Sequence, residues 1–113
     1  MEKYIYIGGS TRVTQDNLNE NLSCDLWLEK IGCQVVNGKS IIESLPPLTT
    51  ELNNKLTYTL IELSNGICMP LGWQKDKQCY NELNYAKSLG KKVIYQKYFK
   101  RFKQKKEIQN ENL

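Results

Sequence analysis

Apolar and polar residues along the chain change period several times, and each change marks a predicted element. Residues 3–7, Lys3-Tyr4-Ile5-Tyr6-Ile7, form a short β-branched and aromatic run that stops at Gly8-Gly9-Ser10, the pattern of a buried strand ending in a tight turn. Over residues 17–31 the period becomes helical: Leu18, Leu22, Cys24, Leu26, Trp27, Leu28 and Ile31 recur at three and four, and Gly32 stands where a helix stop belongs. Residues 33–36 read as a second strand closed by Asn37-Gly38.

Leu45-Pro46-Pro47-Leu48 then punctuates the chain. Thr49-Thr50-Glu51 offers a capping residue with acid in the first turn, ahead of Leu52, Leu56, Leu60 and Leu63 at helical spacing, with Asn65-Gly66 as the expected stop. Ile67-Cys68-Met69-Pro70 is apolar on both faces, as a central strand of a parallel sheet is, and residues 71–75 follow as a loop. Asp76 caps a predicted helix running to about Leu89, with Cys79, Leu83 and Ala86 inward and Gly90 as stop; residues 91–95 make the fourth strand.

Strands alternating with helices of this length predict an α/β fold: a small doubly wound domain of the Rossmann or flavodoxin-like kind. It has a four-stranded parallel sheet, right-handed crossovers and helices on both faces. With 113 residues the chain has room for one domain, assigned to residues 1–96, followed by a basic tail over 97–113. The apolar runs are far shorter than the ~20 residues of a membrane span, so the expected setting is cytoplasmic with no membrane partner.

Composition narrows the chemistry. There is no histidine, which removes Ser-His-Asp triads, Cys-His pairs and imidazole metal sites, and leaves carboxylates, Tyr, Lys and Cys. Cys24, Cys33, Cys68 and Cys79 lack C-x-x-C spacing and lie in apolar stretches, as small hydrophobes of a reducing compartment do; no metal or cofactor is expected. The net charge of +4 resides in the tail, where Lys97, Lys100, Arg101, Lys103, Lys105 and Lys106 outnumber Glu107 and Glu111. That tail is either a solvated end or a contact for phosphate backbones, and its aromatics Tyr98, Phe99 and Phe102, with Tyr95, either join nucleic acid or pack back on the domain.

In a doubly wound sheet the ligand crevice lies beyond the carboxyl ends of the strands where the order reverses, so functional residues are expected after strands one and three. After strand one, Gly8 and Gly9 let backbone approach a ligand, Ser10 and Thr11 offer hydroxyls, and Arg12 pairs with phosphate or carboxylate; the same pattern also makes a plain turn. After strand three, Gly72 precedes Trp73, whose indole either stacks on a flat ring such as a nucleobase or covers the end of the core. Glu82 flanks the inward stripe of Cys79 and Ala86, and a half-buried acid there is either a boundary residue paired with lysine or a working carboxylate. Asp76 and Glu82, six residues apart, converge only if Asp76 stays in the loop or at the cap while Glu82 faces the crevice side of the helix.

Tyr6-Ile7-Gly8-Gly9-Ser10, together with Leu71-Gly72-Trp73-Gln74-Lys75-Asp76 through Asn81-Glu82, Tyr85-Ala86 and Leu89-Gly90, resembles the signatures of the nucleoside 2-deoxyribosyltransferase superfamily over residues 3–96. The likeness is greatest to a short branch common in phages and bacteria. The resemblance implies that Glu82 is the nucleophile at the anomeric carbon, that Asp76 assists the departing base, and that Tyr6 orients the glutamate. Gln78 and Cys79 between the carboxylates, and Asn65 before strand three, depart from the family's usual residues, and the Ser that phosphate-binding relatives present near the helix start is not at Asp76, so by the resemblance any phosphate falls to Ser10, Thr11 and Arg12.

The leading expectation is a protein that binds a nucleotide or nucleoside and cleaves or transfers its N-glycosidic bond through Glu82. The alternative is a non-catalytic binder that sequesters a nucleotide-derived signal such as a cyclic nucleotide or an ADP-ribose product. By the resemblance and the open edges of a four-stranded sheet, a homo-oligomer is expected.

Overall fold

The structure, a computed structural model, describes residues 3–11 and 15–98, with side chains of the first helix described from Leu22 onward. The described elements run β1 (Tyr4–Ile7), α1 (Gln15–Lys30), β2 (Gln34–Val36), α2 (Gly38–Glu43), α3 (Thr50–Leu63), β3 (Gly66–Met69), a 3-10 turn (Trp73–Lys75), α4 (Lys77–Ser88) and β4 (Lys92–Tyr95). All strand pairs are parallel and the order is β2-β1-β3-β4. The expected α/β sheet is therefore present, and its order reverses between β1 and β3, whose carboxyl ends open the crevice.

Strand alternation sorts the core into two layers. Tyr6, Ile67 and Met69 face Leu60 and Ile61 of α3 and Cys79, Leu83 and Ala86 of α4, with Val36, Val93 and Tyr95 at the edges and Ile41 of α2 packed on the same layer. On the other face Ile5, Ile7 and Cys68 meet Cys24 and Leu28 of α1, flanked by Trp27, Cys33, Val35 and Ile94. Helices thus cover both faces, and the inward positions expected of α4 are the observed ones. The cysteines act as packing: all four are free, and Cys68, hydrogen-bonded to Cys24 and buried, has its thiol pushed up.

Two readings need correction. The periodicity of α1 and α3 overstates their inward faces, since Leu22, Leu26 and Ile31 are exposed, as are Leu52 and Leu63. Among the described side chains of α1, Cys24 and Leu28 supply the fully buried contacts, a narrow stripe against the sheet. Asn65-Gly66 does not stop α3 by a left-handed glycine. Ser64 caps that helix, its hydroxyl donating to the Leu60 carbonyl at 2.7 Å, while Asn65 Oδ1 accepts from the Tyr4 amide at 2.8 Å and Gly66 opens β3. Gly66 is required by closeness instead: a Cβ there would lie 2.8 Å from the Lys92 carbonyl oxygen. The short helix α2 was not anticipated; Asn37 caps it by accepting from the Lys39 amide at 3.0 Å and ties it to α1 by donating to Asp25 Oδ2 at 2.9 Å.

No helix among the described residues is long and apolar enough to cross a membrane. The close approach at Gly66 generates a stability prediction. Gly66→Ala forces backbone of β3 and β4 apart and lowers unfolding free energy by about 1–3 kcal/mol, measured by urea denaturation, with the sheet signature retained by circular dichroism in the absence of denaturant.

Candidate functional site

The turn after β1 is built to close on α4. Gly9 adopts φ of 75°, a left-handed conformation that favours glycine, and the turn closes with the Ser10 amide donating to the Ile7 carbonyl at 3.1 Å. Its side chains are spent inside the domain. Ser10 Oγ accepts from the Gly38 amide at 2.9 Å. Thr57 donates to the Asn53 carbonyl at 2.9 Å, so Thr11 is the donor in its 2.6 Å bond with the Thr57 hydroxyl. Gly38 is held so tightly beneath this turn that a Cβ would stand 2.5 Å from Thr11 Cγ2.

Glu82 reaches this turn from α4. Its Oε1 accepts from Tyr6 Oη at 2.8 Å and from the Gly9 amide at 3.0 Å, and the residue is 0% exposed, as is Tyr6. Burial pushes the Tyr6 phenol well above its ordinary value, the Glu82 charge adds to that, and the neighbouring Thr11 and Ser10 hydroxyls oppose it. Tyr6 therefore stays protonated at neutral pH and serves as donor. Two charge-assisted hydrogen bonds to one carboxylate oxygen fix the orientation of the group.

Asp76 sits at the cap of α4, where its Oδ1 accepts from the amides of Gln78 at 2.9 Å and Cys79 at 3.4 Å. That is the capping role expected of it from the sequence. The structure brings Tyr6, Gly9 and Glu82 together, sets Gly8 beside them through its amide bond to the Cys68 carbonyl at 2.8 Å, and places Ser10 and Thr11 directly behind. Arg12 lies outside the described residues.

Gly72 and Trp73 line a neighbouring cavity of about 100 Å³ with Met69, Pro70, Tyr95 and Lys97. Gly72 has φ of 83°, and the buried Gln96 pins the loop by accepting from the Leu71 amide at 2.8 Å. Trp73 is half-buried between two tyrosines, its ring centroid 5.9 Å from Tyr80 and 5.8 Å from Tyr95. It packs on the core and borders the cavity at once, so both readings of its position describe part of it. Tyr98 packs back on Tyr95 at 6.0 Å; the tail's Phe99, Phe102 and later basic residues lie outside the described residues. Tyr95, Gln96 and Lys97 were not singled out for the crevice, although the carboxyl end of β4 adjoins that of β3 in any sheet of this order. Among the described residues no group of three or more cysteines or carboxylates gathers to hold a metal ion.

The buried phenol gives a pH test. An unfolded tyrosine ionises near pH ~10, whereas folded Tyr6 keeps its proton above that value. The native state then holds a proton that the unfolded state has lost, so stability falls as pH rises past about 10, by up to about 1.4 kcal/mol per pH unit for this one group. Tyr6→Phe removes that component, seen as a shallower alkaline decline in urea midpoints measured from pH 8 to 11.

No curated protein matches the chain. Among solved structures it is similar to the CMP N-glycosidase BcmB of Clostridium botulinum, with 18% identity and a TM-score of 0.58 over 82% of this chain and 67% of that one, a likeness that shows the shared fold. A family model described as "Domain of unknown function (DUF4406)" matches residues 3–95, from the start of the described domain to the end of β4, and the chain belongs to that family.

Proposed function

We propose that this protein binds a nucleotide or nucleoside at the carboxyl ends of β1 and β3 and cleaves or transfers its N-glycosidic bond with Glu82 as nucleophile. The observation that carries this reading is the buried Glu82 carboxylate, aimed by Tyr6 Oη and the Gly9 amide at 2.8 and 3.0 Å. Support also comes from the resemblance of these residues to the nucleoside 2-deoxyribosyltransferase superfamily and from a structural neighbour that is itself an N-glycosidase.

In this chemistry one Glu82 oxygen attacks the anomeric carbon as the carbon–nitrogen bond breaks and its electron pair leaves with the base. Asp76 assists that departure, and water or a second base then opens the glycosyl ester to regenerate the carboxylate. Tyr6 holds the attacking carboxylate in one rotamer by donating a hydrogen bond while keeping its own proton.

Incubation with a mixed pool of nucleosides, nucleoside monophosphates, NAD-derived and cyclic nucleotides tests the reading, with mass spectrometry of supernatant and denatured protein. Free base is expected in excess of the protein, and Glu82→Gln is expected to reduce its release by at least about 10³-fold with the thermal transition retained. Unchanged turnover in that variant contradicts the assignment.

The complete burial of Glu82 and the internal use of the Ser10 and Thr11 hydroxyls favour a second reading, a non-catalytic binder whose carboxylate holds the turn. It predicts an intact nucleotide recovered from the protein fraction at or below one per chain, with no free base.

A further inference from the structure

The cavity beside Trp73 and the Glu82 carboxylate occupy the same face and the same end of the sheet. Cys68 pairs with Ile7 on one side and Met69 pairs with Tyr95 on the other, so Gly8, Met69 and Tyr95 form a row across β1, β3 and β4 at their carboxyl ends. Alternation puts Tyr6, Met69 and Tyr95 in one layer under α4. From that helix Glu82 reaches the β1 end of the row, while Tyr80 stacks on Trp73 toward the β4 end, with 29° between the ring planes. Met69 separates the two: its Cε and Sδ lie 3.1 and 3.2 Å from where a Gly8 Cβ would be, and it also lines the cavity.

Size and lining say what the cavity takes. A fully enclosed cavity of about 150 Å³ accepts benzene, so a cavity of about 100 Å³, open at its mouth, matches a partly inserted six-membered ring in size better than a fused bicycle. The walls are aromatic and thioether, suited to a flat ring. Lys97 and Gln74 bring donors to the rim, where exocyclic carbonyl oxygens of such a ring would lie. Adjacent strands are ~4.8 Å apart, which sets the β3–β4 cavity one to two strand spacings from Gly9, a reach suited to a ring bonded directly to the sugar carbon at Glu82.

We propose that the Trp73–Tyr95 cavity is the base subsite of this protein and restricts it to single-ring, pyrimidine-class nucleobases. This rests on reading the Glu82 crevice as a nucleotide site. Met69 forms the flexible wall between sugar and base, and Tyr95 sets the depth available to the ring.

Isothermal titration of the wild-type and Glu82→Gln chains with cytidine, uridine, adenosine and guanosine 5′-monophosphates tests it. Both pyrimidine nucleotides are expected to bind about tenfold or more tightly than both purine nucleotides. Tyr95→Ala, which deepens the cavity, is expected to bring that ratio below about threefold by admitting purines. Lys97→Ala, at an exposed position that leaves the core intact, is expected to weaken pyrimidine nucleotides while leaving purine affinity unchanged. Purines binding as tightly as pyrimidines, or no binding of any of the four, overturns the proposal. Pyrimidine-selective binding without base release keeps the subsite and removes the nucleophile. Base released equally from purine and pyrimidine nucleotides keeps the nucleophile and removes the subsite.

Discussion

A buried carboxylate organises this domain. Removing an ionised group from water costs several kcal/mol, and Glu82 offsets that cost through hydrogen bonds from Tyr6 Oη and the Gly9 amide, each of a kind worth about 1.5–3 kcal/mol. Those two bonds join three parts of the chain: β1, which carries Tyr6; the turn that ends it; and α4. The left-handed Gly9 follows from this, because its amide has to point back at α4. So does the spending of Ser10 and Thr11 on α2 and α3, which brace the turn from the opposite side through Gly38 and Thr57. A core made only of Ile67, Met69 and Leu83 would pack the same sheet without a charge inside it, so the charge asks for a reason beyond packing.

The fold was legible because periodicity changes at each boundary and because β3, apolar on both faces, has only one natural place in a parallel sheet. The site was legible for a narrower reason: Glu82 interrupts an inward stripe, and the switch-point rule puts the ends of β1 and β3 together. Less visible was what each polar residue of the turn would do. A hydroxyl that braces a neighbouring helix and one that faces a ligand look alike in sequence, and here Ser10 and Thr11 brace. Gly66 misled for a similar reason, since glycine serves both a left-handed stop and a close strand approach. Leu22 and Leu26 continue a helical period past the width that the single-helix face of the sheet can bury.

The contribution of β4 to the cavity is hard to see in sequence because the chain passes from strand to basic tail without punctuation: Tyr95 reads as the last residue of the fourth strand and Lys97 as the first base of the tail. In the fold, Gln96 turns inward to hold the Leu71 amide, and the residues on either side of it wall a cavity with Trp73. One helix therefore spans a row of glycine, methionine and tyrosine that runs from a fixed carboxylate to an aromatic recess. Under the proposed reading, that adjacency is what would hold a sugar and a ring together in a small domain without histidine.

The measurement that tests the central claim most directly is a rapid acid quench of the protein mixed with nucleoside 5′-monophosphates, followed by proteolysis and mass spectrometry of the peptide that contains Glu82. A glycosyl mass increment on Glu82, absent from Glu82→Gln, is the predicted result. Turnover with no increment on that peptide at any quench time, or an increment on another residue, contradicts the account.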